Sequence, residues 1–251
     1  MISIIIPTLD EEEGIAKVIC SIPEEIRKKS EVIVVDVSDD MTPVIAERLG
    51  AKVLRAGKKG KGRQMRLAAK AAKGEILVFL DGDGTDPPSY IPMLLEELKS
   101  ANLVLGCRNL RNFEEDDKNL RRIFKLYGIF IAALFRVVGF EGYGDPLAGF
   151  RAIRKKDWDR LALKSNDFRI ETEMNIKAVK KGFVIKEMPI PHLKRSGGGL
   201  RASKLLGDPK QVFEIYKLIL AYFTEDQLKK KIVDFESKIK LYAKRYYSHF
   251  Q

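Results

Sequence analysis

The sequence predicts an α/β fold, in which a mostly parallel, Rossmann-like β-sheet is covered by helices on both faces and is followed by C-terminal amphipathic helices. Two patterns carry this prediction. Short β-branched runs alternate with helical patterns through the first half, and these runs are apolar throughout, as expected of parallel strands buried on both faces. Acidic residues follow two of the runs, at the strand ends where sheets of this class bind ligands.

The elements of the first half follow one another in short units. The predicted strands, each a β-branched apolar run, are Ser3–Pro7, Glu31–Asp36, Lys52–Arg55, Ile76–Asp81 and Leu103–Gly106. The predicted helices, which have apolar residues at helical spacing, are Glu11–Cys20, Thr42–Leu49, Arg63–Ala72 and Pro88–Lys99. Asp36 therefore ends the second strand, and Asp81 and Asp83 lie at the end of the fourth.

The second half is less regular. Its predicted elements are the helix Lys118–Val138, the strand Arg151–Ile153, the helix Glu171–Lys181 and the strand Val184–Met188. From Lys204 onward the pattern is helical, and one helix face has Val212, Ile215, Tyr216, Ile219, Leu220 and Phe223. We therefore expect one domain over residues 1–205 and a basic, amphipathic helical extension over residues 206–251.

The composition restricts the class of partner. The chain has 251 residues, of which 45% are hydrophobic and 32% charged, so it can bury a core and is not of the disordered class. Its formal net charge of +11 indicates anionic partners, which could be a nucleotide, a phosphorylated substrate, nucleic acid or an acidic lipid. Two cysteines and two histidines give neither a disulfide framework nor a zinc pattern, which is typical of a cytoplasmic protein.

The apolar segments indicate a protein that lies on a membrane surface rather than one that spans it. The N-terminus lacks the basic start and long apolar stretch of a signal peptide. The segment Tyr127–Phe140 is interrupted by Arg136 and is shorter than the ~20 residues of a spanning helix. Basic residues adjoin this segment and the 212–223 face, which suits an anionic leaflet, although both helices could instead pack on the sheet or in a homo-oligomer. We expect a peripheral position on the cytoplasmic face of a membrane.

The strongest chemical signal is the Asp-Gly-Asp segment at residues 81–83. A buried strand delivers Asp81 and Asp83 into a loop loosened by Gly82, so both carboxylates can point toward one hard cation, with Mg²⁺ and Mn²⁺ as the candidates. Such a cation would neutralise a diphosphate leaving group. The alternative is a strand-end turn in which the aspartates only cap the loop.

Two further segments could bind a nucleotide. Asp36 ends a strand and is suited to hydrogen-bond a base or ribose, whereas Asp40 could cap the next helix. The loop Lys58–Gln64 has glycines and basic residues just before a helix N-terminus, which makes either an anion cradle or a solvated loop. The chain has no phosphate-loop NTPase motif, and no Gly-x-Gly-x-x-Gly follows its first strand, so ATP hydrolysis and dinucleotide-dependent oxidation are not favoured.

Taken in order, these motifs resemble glycosyltransferase family 2, which has the GT-A fold, and within it the dolichol-phosphate mannose and glucose synthases. The resemblance covers about residues 1–205. The motifs that carry it are Pro7-Thr8-Leu9-Asp10-Glu11, Asp36–Thr42, Lys61-Gly62-Arg63, Asp81-Gly82-Asp83, Asp145–Arg151 and Phe168–Glu171. Asp10 stands where the family usually has Asn, and Thr85 stands where the mannose synthases commonly have Gln.

The resemblance implies roles for these residues. The metal would be held by Asp81 and Asp83. The nucleotide-sugar donor would be held by Pro7, Thr8, Asp10, Glu11, Asp36, Lys61, Gly62, Arg63, Asp81 and Gly82. The acceptor would lie beside Asp145–Arg151, and its phosphate would be bound by Arg108, Arg195, Arg201, Ser203 and Lys204. The last four resemble the family's closing Arg…Gly-x-Ser-Lys loop, and a glycine-rich basic loop suits a lid over an anionic substrate.

The expected reaction is an inverting, metal-dependent transfer from a nucleotide-sugar of the GDP-mannose or UDP-glucose type to a polyprenyl or dolichyl phosphate. A lipid phosphate is already an anion, whereas a hydroxyl acceptor would need a base, for which Asp145 and Glu171 are the candidates. One alternative is a cytosolic enzyme that acts on a small phosphorylated acceptor such as phosphoglycerate. Another is a non-catalytic basic protein that binds membrane or RNA. Nucleic acid is not an expected partner, because the basic residues lack the interleaved aromatics of a nucleic-acid platform.

Overall fold

A computed structural model describes residues 1–108, 145, 147–191, 193–196 and 209–221 of the chain. Its strands are β1 (Ile2–Thr8), β2 (Ser30–Asp36), β3 (Lys52–Arg55), β4 (Ile76–Phe79), β5 (Leu103–Arg108), β6 (Arg151–Arg154) and β7 (Ile185–Ile190). Its α-helices are α1 (Ile15–Cys20), α2 (Glu24–Arg27), α3 (Thr42–Arg48), α4 (Lys61–Ala71), α5 (Ile91–Glu97), α6 (Lys155–Leu161), α7 (Arg169–Lys180) and α8 (Pro209–Ala221). Short 3-10 turns at Pro88–Tyr90 and Leu98–Ser100 flank α5.

The strands form one seven-stranded sheet in the order β3-β2-β1-β4-β6-β5-β7. Strand β6 is antiparallel to both of its neighbours, and every other pairing is parallel. The prediction of a mostly parallel sheet is therefore confirmed. Because β1, β2, β3 and β4 run the same way, their carboxyl ends meet at one edge of the sheet.

Helices cover both faces of the sheet, as the sequence predicts. Successive residues of β1 alternate between the two faces: Ile4 and Ile6 pack with α1, α2, α3 and α5, whereas Ile5 packs with α4, α6, α7 and α8. All three isoleucines are fully buried. The continuous apolar pattern of the strand thus reflects two separate cores, one on each side.

The segment that joins β1 to α1 differs from its prediction, because the helix begins at Ile15 and not at Glu11. Asp10 has a left-handed backbone with φ 52°, and the N–H groups of Gly14 and Ile15 both donate to the carbonyl of Glu11, over 3.0 and 2.9 Å. A β-carbon on Gly14 would lie 2.6 Å from the carbonyl oxygen of Gly82. Residues 11–14 therefore form a turn that packs directly on the Asp-Gly-Asp segment.

The described part of the C-terminal extension packs on the domain. Ile215 and Ile219 of α8 are fully buried in the same core as α7, and Arg169 pairs with Glu214 over 3.1 Å. Among the described residues, no helix is both long and apolar enough to cross a membrane. The predicted helix Lys118–Val138 and most of the 206–251 extension lie outside the described residues, and the domain boundary at residue 205 stays a prediction.

Candidate active site

Two clusters of polar side chains lie at the carboxyl edge formed by β1 to β4. The Asp36 cluster consists of Thr8, Asp10, Asp36, Ser38 and Arg55. The Asp81 cluster consists of Glu11, Lys61, Asp81, Asp83, Glu171 and Arg195. Thr8 joins them, since its hydroxyl donates to Asp36 and its methyl group lies 2.9 Å from where a β-carbon of Gly82 would be.

Asp36 is the buried centre of the first cluster, and its side chain is 0% exposed. Its Oδ1 accepts hydrogen bonds from the hydroxyls of Thr8 and Ser38, over 2.7 and 2.5 Å. Its Oδ2 accepts from the backbone N–H of Ser38 over 3.0 Å and from Nη1 of Arg55. These four hydrogen bonds satisfy both oxygens of the buried side chain.

The loops after β1 and β2 are tied together around this cluster. The N–H of Asp10 donates to the Ser38 hydroxyl over 2.7 Å, and the N–H of Glu11 donates to the Thr42 hydroxyl over 2.9 Å. Asp40 accepts from the N–H of Thr42, the first residue of α3, over 2.9 Å. The predicted residues Thr8, Asp10 and Glu11 are therefore brought to the same edge as Asp36. Pro7 lies within β1.

Lys61 joins two carboxylates in the second cluster. Its Nζ lies 2.6 Å from Oδ1 of Asp81 and 2.7 Å from Oε1 of Glu171. Lys61 is the first residue of α4, and Glu171 lies in the first turn of α7. Burial alone would lower the pKa of Lys61, but the two carboxylates raise it above its ordinary value. Lys61 is therefore a fixed positive charge at the strand edge.

Asp83 is held by the turn on one side and by a distant segment on the other. Its Oδ1 accepts from the N–H and the hydroxyl of Thr85, over 3.0 and 2.7 Å, and its Oδ2 lies 3.1 Å from Nη2 of Arg195. Arg195 also reaches Oε1 of Glu11 at 3.3 Å, and the N–H of Ser196 donates to the carbonyl of Asp83 over 2.9 Å. Arg195, which is predicted to bind phosphate, thus contacts Asp83, which is a predicted metal ligand.

A third acid, Asp86, supports the turn from inside and was not predicted as a site residue. Its Oδ2 accepts the backbone N–H of Asp81 over 2.9 Å. Burial, reinforced by the carboxylate of Asp81, raises the pKa of Asp86 to about 8, so its carboxyl is largely protonated at neutral pH. The signal available in the sequence is a further Asp three residues after Asp83 in the same turn.

Arg108 and Asp145, predicted for the acceptor side, form an ion pair beside this cluster, in which Asp145 is buried and Arg108 partly buried. Nε of Arg108, at the end of β5, donates to Oδ2 of Asp145 over 2.7 Å. Burial alone would lower the pKa of Arg108, but Asp145 raises it. Burial alone would raise the pKa of Asp81, but Lys61 and, to a smaller extent, Arg108 lower it. Gly149 lies against Asp81, which places the 145–151 segment next to the predicted metal pair.

The predicted anion cradle at the start of α4 is covered in part by the chain itself. The N–H of Arg63 donates to the carbonyl of Asn166 over 3.0 Å, and a β-carbon on Gly62 would lie 2.3 Å from the carbonyl of Ser165. The ammonium of Lys61 remains directed at Asp81. Phosphate binding by this loop stays a prediction. It would involve the ammonium of Lys61 rather than the N–H groups at the start of α4. Arg201, Ser203 and Lys204 lie outside the described residues.

The aspartate pair suits a divalent cation that also binds substrate. Mg²⁺ is commonly bound by one or two carboxylates together with substrate phosphates, and not by an all-protein cage. Asp81 and Asp83 supply two such carboxylates, each now paired with a cationic side chain. Within the described part of the chain, no group of three or more His, Cys, Asp or Glu side chains could hold a metal. A cation held by this pair would complete its coordination with water and with the phosphate oxygens of a substrate.

Similarity to known proteins agrees with this geometry. The chain is 28% identical over 197 residues to a dolichyl-phosphate hexose transferase of Haloferax volcanii, which covers 78% of this chain and 84% of the relative. It is 29% identical over 230 residues to a dolichol-phosphate mannosyltransferase of Pyrococcus furiosus, covering 87% of this chain but only 63% of the relative. The glucosyl-3-phosphoglycerate synthase of Mycobacterium tuberculosis, solved with Mn²⁺, UDP-glucose and phosphoglyceric acid, has a TM-score of 0.68 at 22% identity. That alignment covers 88% of this chain and 79% of the synthase, and it shows a shared fold.

The family model described as glycosyl transferase family 2 matches residues 3–161. These residues contain β1 from its second residue, β2 to β6, and the Asp36 and Asp81 clusters apart from Glu171 and Arg195. The chain therefore belongs to glycosyltransferase family 2, and it is a glycosyltransferase with the GT-A fold.

Proposed function

We propose that the protein transfers a hexose, with inversion, from a nucleotide-sugar of the GDP-mannose or UDP-glucose type to a polyprenyl or dolichyl phosphate at a membrane surface. The relatives from Haloferax and Pyrococcus, which are named for dolichyl-phosphate acceptors, support this acceptor class. Because the chain belongs to an enzyme family, the alternative of a non-catalytic basic protein that binds membrane or RNA is excluded.

The observation that carries the proposal is that both candidate bases are paired with partly buried cations. Asp145 is paired with Arg108 over 2.7 Å, and Glu171 is paired with Lys61 over 2.7 Å. The oxygens that contact Arg108 and Lys61 would have to leave these cations before they could accept the proton of a substrate hydroxyl. A hydroxyl acceptor needs such a base, whereas an oxygen of a lipid phosphate attacks as an anion. The geometry therefore favours a phosphate acceptor.

The donor end of the site supplies positive charge where the leaving group forms. Asp81 and Asp83 would hold Mg²⁺ or Mn²⁺, and the bound metal would neutralise charge that grows on the diphosphate. Lys61 adds a fixed ammonium beside Asp81, and Arg195 adds a guanidinium beside Asp83. Fixed charges of this kind stabilise a developing anion without reorganising at the moment of reaction. The attacking phosphate would be positioned by Arg108 and Arg195.

A second candidate is transfer to a small phosphorylated acceptor such as phosphoglycerate. It is favoured by the fold similarity to glucosyl-3-phosphoglycerate synthase, at a TM-score of 0.70 and 22% identity. In that reaction a glycerate hydroxyl would attack, so Asp145 or Glu171 would have to be released from its cation to act as a base.

One transfer assay separates these candidates. The purified chain is supplied with GDP-mannose or UDP-glucose, with Mn²⁺ or Mg²⁺, and with either detergent-dispersed polyprenyl phosphate or 3-phosphoglycerate. We expect a glycolipid product, and we expect Asp83→Ala, which removes a proposed metal ligand, to lower kcat by about 100-fold or more.

The pH–rate profile of Glu171→Gln separates a positioning role from a base. If Glu171 only positions Lys61, kcat falls but the acidic limb of the profile keeps its shape, whereas loss of a base would remove that limb. Transfer to phosphoglycerate with none to the lipid would contradict the first proposal.

A further inference from the structure

We propose that Arg55 contacts the base of the nucleotide donor and selects guanine and uracil, which have a carbonyl oxygen at C6 of the purine or C4 of the pyrimidine, over adenine and cytosine, which have an amino group at that position. This inference deepens the proposed function, because it rests on a nucleotide-sugar donor. It gives Asp36 a different role from direct contact with the base or ribose.

Arg55 lies at the donor edge of the sheet by its place in the register. It is the last residue of β3, and it is paired in register with Asp36, the last residue of β2. The N–H of Ala56 donates to the carbonyl of Asp36 over 2.9 Å, which fixes the backbone just beyond the strand. Because β2 and β3 are parallel, both side chains belong to the edge where α/β sheets bind nucleotides.

The guanidinium of Arg55 is held in one orientation although it faces solvent. Its Nη1 donates to Oδ2 of Asp36, and its Nη2 donates to the carbonyl of Ser38 over 2.9 Å. Its side chain is 56% exposed, while that of Asp36 is fully buried. An exposed arginine ordinarily loses rotamer entropy when it binds a ligand. Here two fixed partners have already oriented it, which is the property expected of a recognition residue.

Asp36 has little capacity left for a ligand. An ionised carboxylate accepts about four hydrogen bonds, and Asp36 receives them from Thr8, Arg55 and two groups of Ser38. A base could bind Asp36 only by displacing one of these donors. Arg55 has five N–H groups, of which two bond to the Asp36 cluster. Asp36 is therefore a positioning residue that orients Arg55.

The chemistry of the guanidinium sets the selectivity. Arginine has only donors, so it hydrogen-bonds O6 and N7 of guanine or O4 of uracil, and it is repelled by the amino hydrogens on N6 of adenine and N4 of cytosine. Its planar face can also stack on any base, but stacking alone does not discriminate. Selection of guanine or uracil over adenine and cytosine would therefore come from the N–H groups of Arg55.

Calorimetric titration with GDP, UDP, ADP and CDP, in the presence of Mn²⁺, tests this role without any acceptor. We expect the wild-type protein to bind GDP or UDP at least about tenfold more tightly than ADP and CDP. Arg55→Ala should weaken the preferred nucleotide by about 10- to 100-fold and leave ADP and CDP nearly unchanged. Arg55→Lys keeps a positive charge opposite Asp36 but lacks the planar fork, so we expect it to fold normally and still lose the selectivity.

Lys52→Ala is the matched control, because it removes one exposed positive charge from the same strand. It should leave all four affinities nearly unchanged. The proposal would be overturned if Arg55→Lys kept the full selectivity, or if Arg55→Ala weakened all four nucleotides equally. A failure of lipid transfer would leave this result standing, whereas the absence of nucleotide binding in the wild-type protein would overturn both proposals.

Discussion

A β-carbon at Gly149 would lie 2.7 Å from Oδ2 of Asp81 and 2.9 Å from its Cγ. Gly149→Ala should therefore displace the carboxylate of Asp81, and because this group lies at the end of a side chain the unfolding free energy should fall by only about 1 kcal/mol, the low end for overpacking. Because Asp81 is a proposed metal ligand, we also expect the affinity for a nucleotide with Mn²⁺ to fall at least about tenfold, which corresponds to ~1.4 kcal/mol. Urea unfolding and calorimetric titration measure the two effects.

Gly57→Ala is the control for that substitution. A β-carbon at Gly57 meets nothing within 4 Å, so unfolding free energy should change by less than about 0.5 kcal/mol and binding should not change. Equal losses of nucleotide affinity in the two variants would show that the contact between Gly149 and Asp81 does not matter for the site.

At the residue scale, the sequence predicts the acids at the strand ends but not the groups that orient them. Asp36, Asp81 and Asp83 could be named because each follows an apolar run that ends at the ligand-binding edge. Arg55 could not be connected with Asp36, because their contact depends on the register of two parallel strands that lie 19 residues apart in the chain. The same holds for Lys61 and Glu171, whose helices are brought together only by the complete fold.

At the scale of elements, the start of α7 anchors the loop that packs on the start of α4. The carboxylate of Glu173 accepts the N–H groups of Lys164 and Ser165, over 3.0 and 2.7 Å, and pairs with Lys177 over 2.7 Å. Ser165 in turn lies against Gly62, next to Lys61. Glu173 thus supports, through one loop, the helix that delivers Lys61 to the site.

This arrangement predicts a pH-dependent contribution to stability. Burial alone would raise the pKa of Glu173, but the hydrogen bonds from Lys177, Ser165 and Lys164 lower it below the ordinary 4.5. The folded carboxylate therefore binds a proton less readily than the unfolded one, so its contribution is fully present above the ordinary pKa and is lost as pH falls through the lower folded pKa. At neutral pH, Glu173→Gln should cost about 1–3 kcal/mol of unfolding free energy.

Urea unfolding of wild type and Glu173→Gln at neutral and acidic pH measures this contribution. The difference between them should shrink as pH falls below 4.5. Glu25→Gln, an exposed change on α2, should show no such trend. A difference that stayed constant with pH would mean that Glu173 acts through packing and not through its charge.

Element boundaries show where local patterns stop being informative. The strands were predicted to within about two residues at each end, since apolar β-branched runs mark them directly. Helices α2 and α6 were missed, because Glu24–Arg27 is only four residues long and Lys155–Leu161 follows β6 without a break. Periodicity needs a window of about 11–18 residues to distinguish a helix. The first turn before α1 was misassigned because its shape is set by contact with the Asp-Gly-Asp segment, far along the chain.

At the scale of the whole molecule, the apolar strands predict the two-sided α/β architecture. The sequence does not predict whether the C-terminal apolar face packs on the protein or on a membrane. Ile215 and Ile219 could serve either a membrane or the protein core, since both environments remove them from water. The structure places both in the core beside α7. Phe213, on the other side of α8, is 54% exposed, with Nζ of Lys217 at 4.8 Å from its ring centroid.

This orientation of α8 leads to an expectation about how the protein meets a membrane. With Ile215 and Ile219 buried and a formal net charge of +11, attraction to anionic lipid should come chiefly from basic residues, at about 1 kcal/mol for each Lys or Arg near the surface. We expect the protein to co-sediment with phosphatidylserine-containing vesicles at ~0.1 M salt and to be released at ~1 M, where the Debye length falls to about 3 Å.

Vesicles of phosphatidylcholine alone are the control for charge, and Phe213→Ala is the control for the exposed apolar group of α8. The neutral vesicles should not bind the protein, and Phe213→Ala should bind anionic vesicles nearly as well as wild type. Retention on vesicles at ~1 M salt, where exposed charges are screened, would contradict an electrostatic attachment. It would instead assign the attachment to exposed apolar side chains, which Ile215 and Ile219 of α8 cannot supply because both are buried in the core.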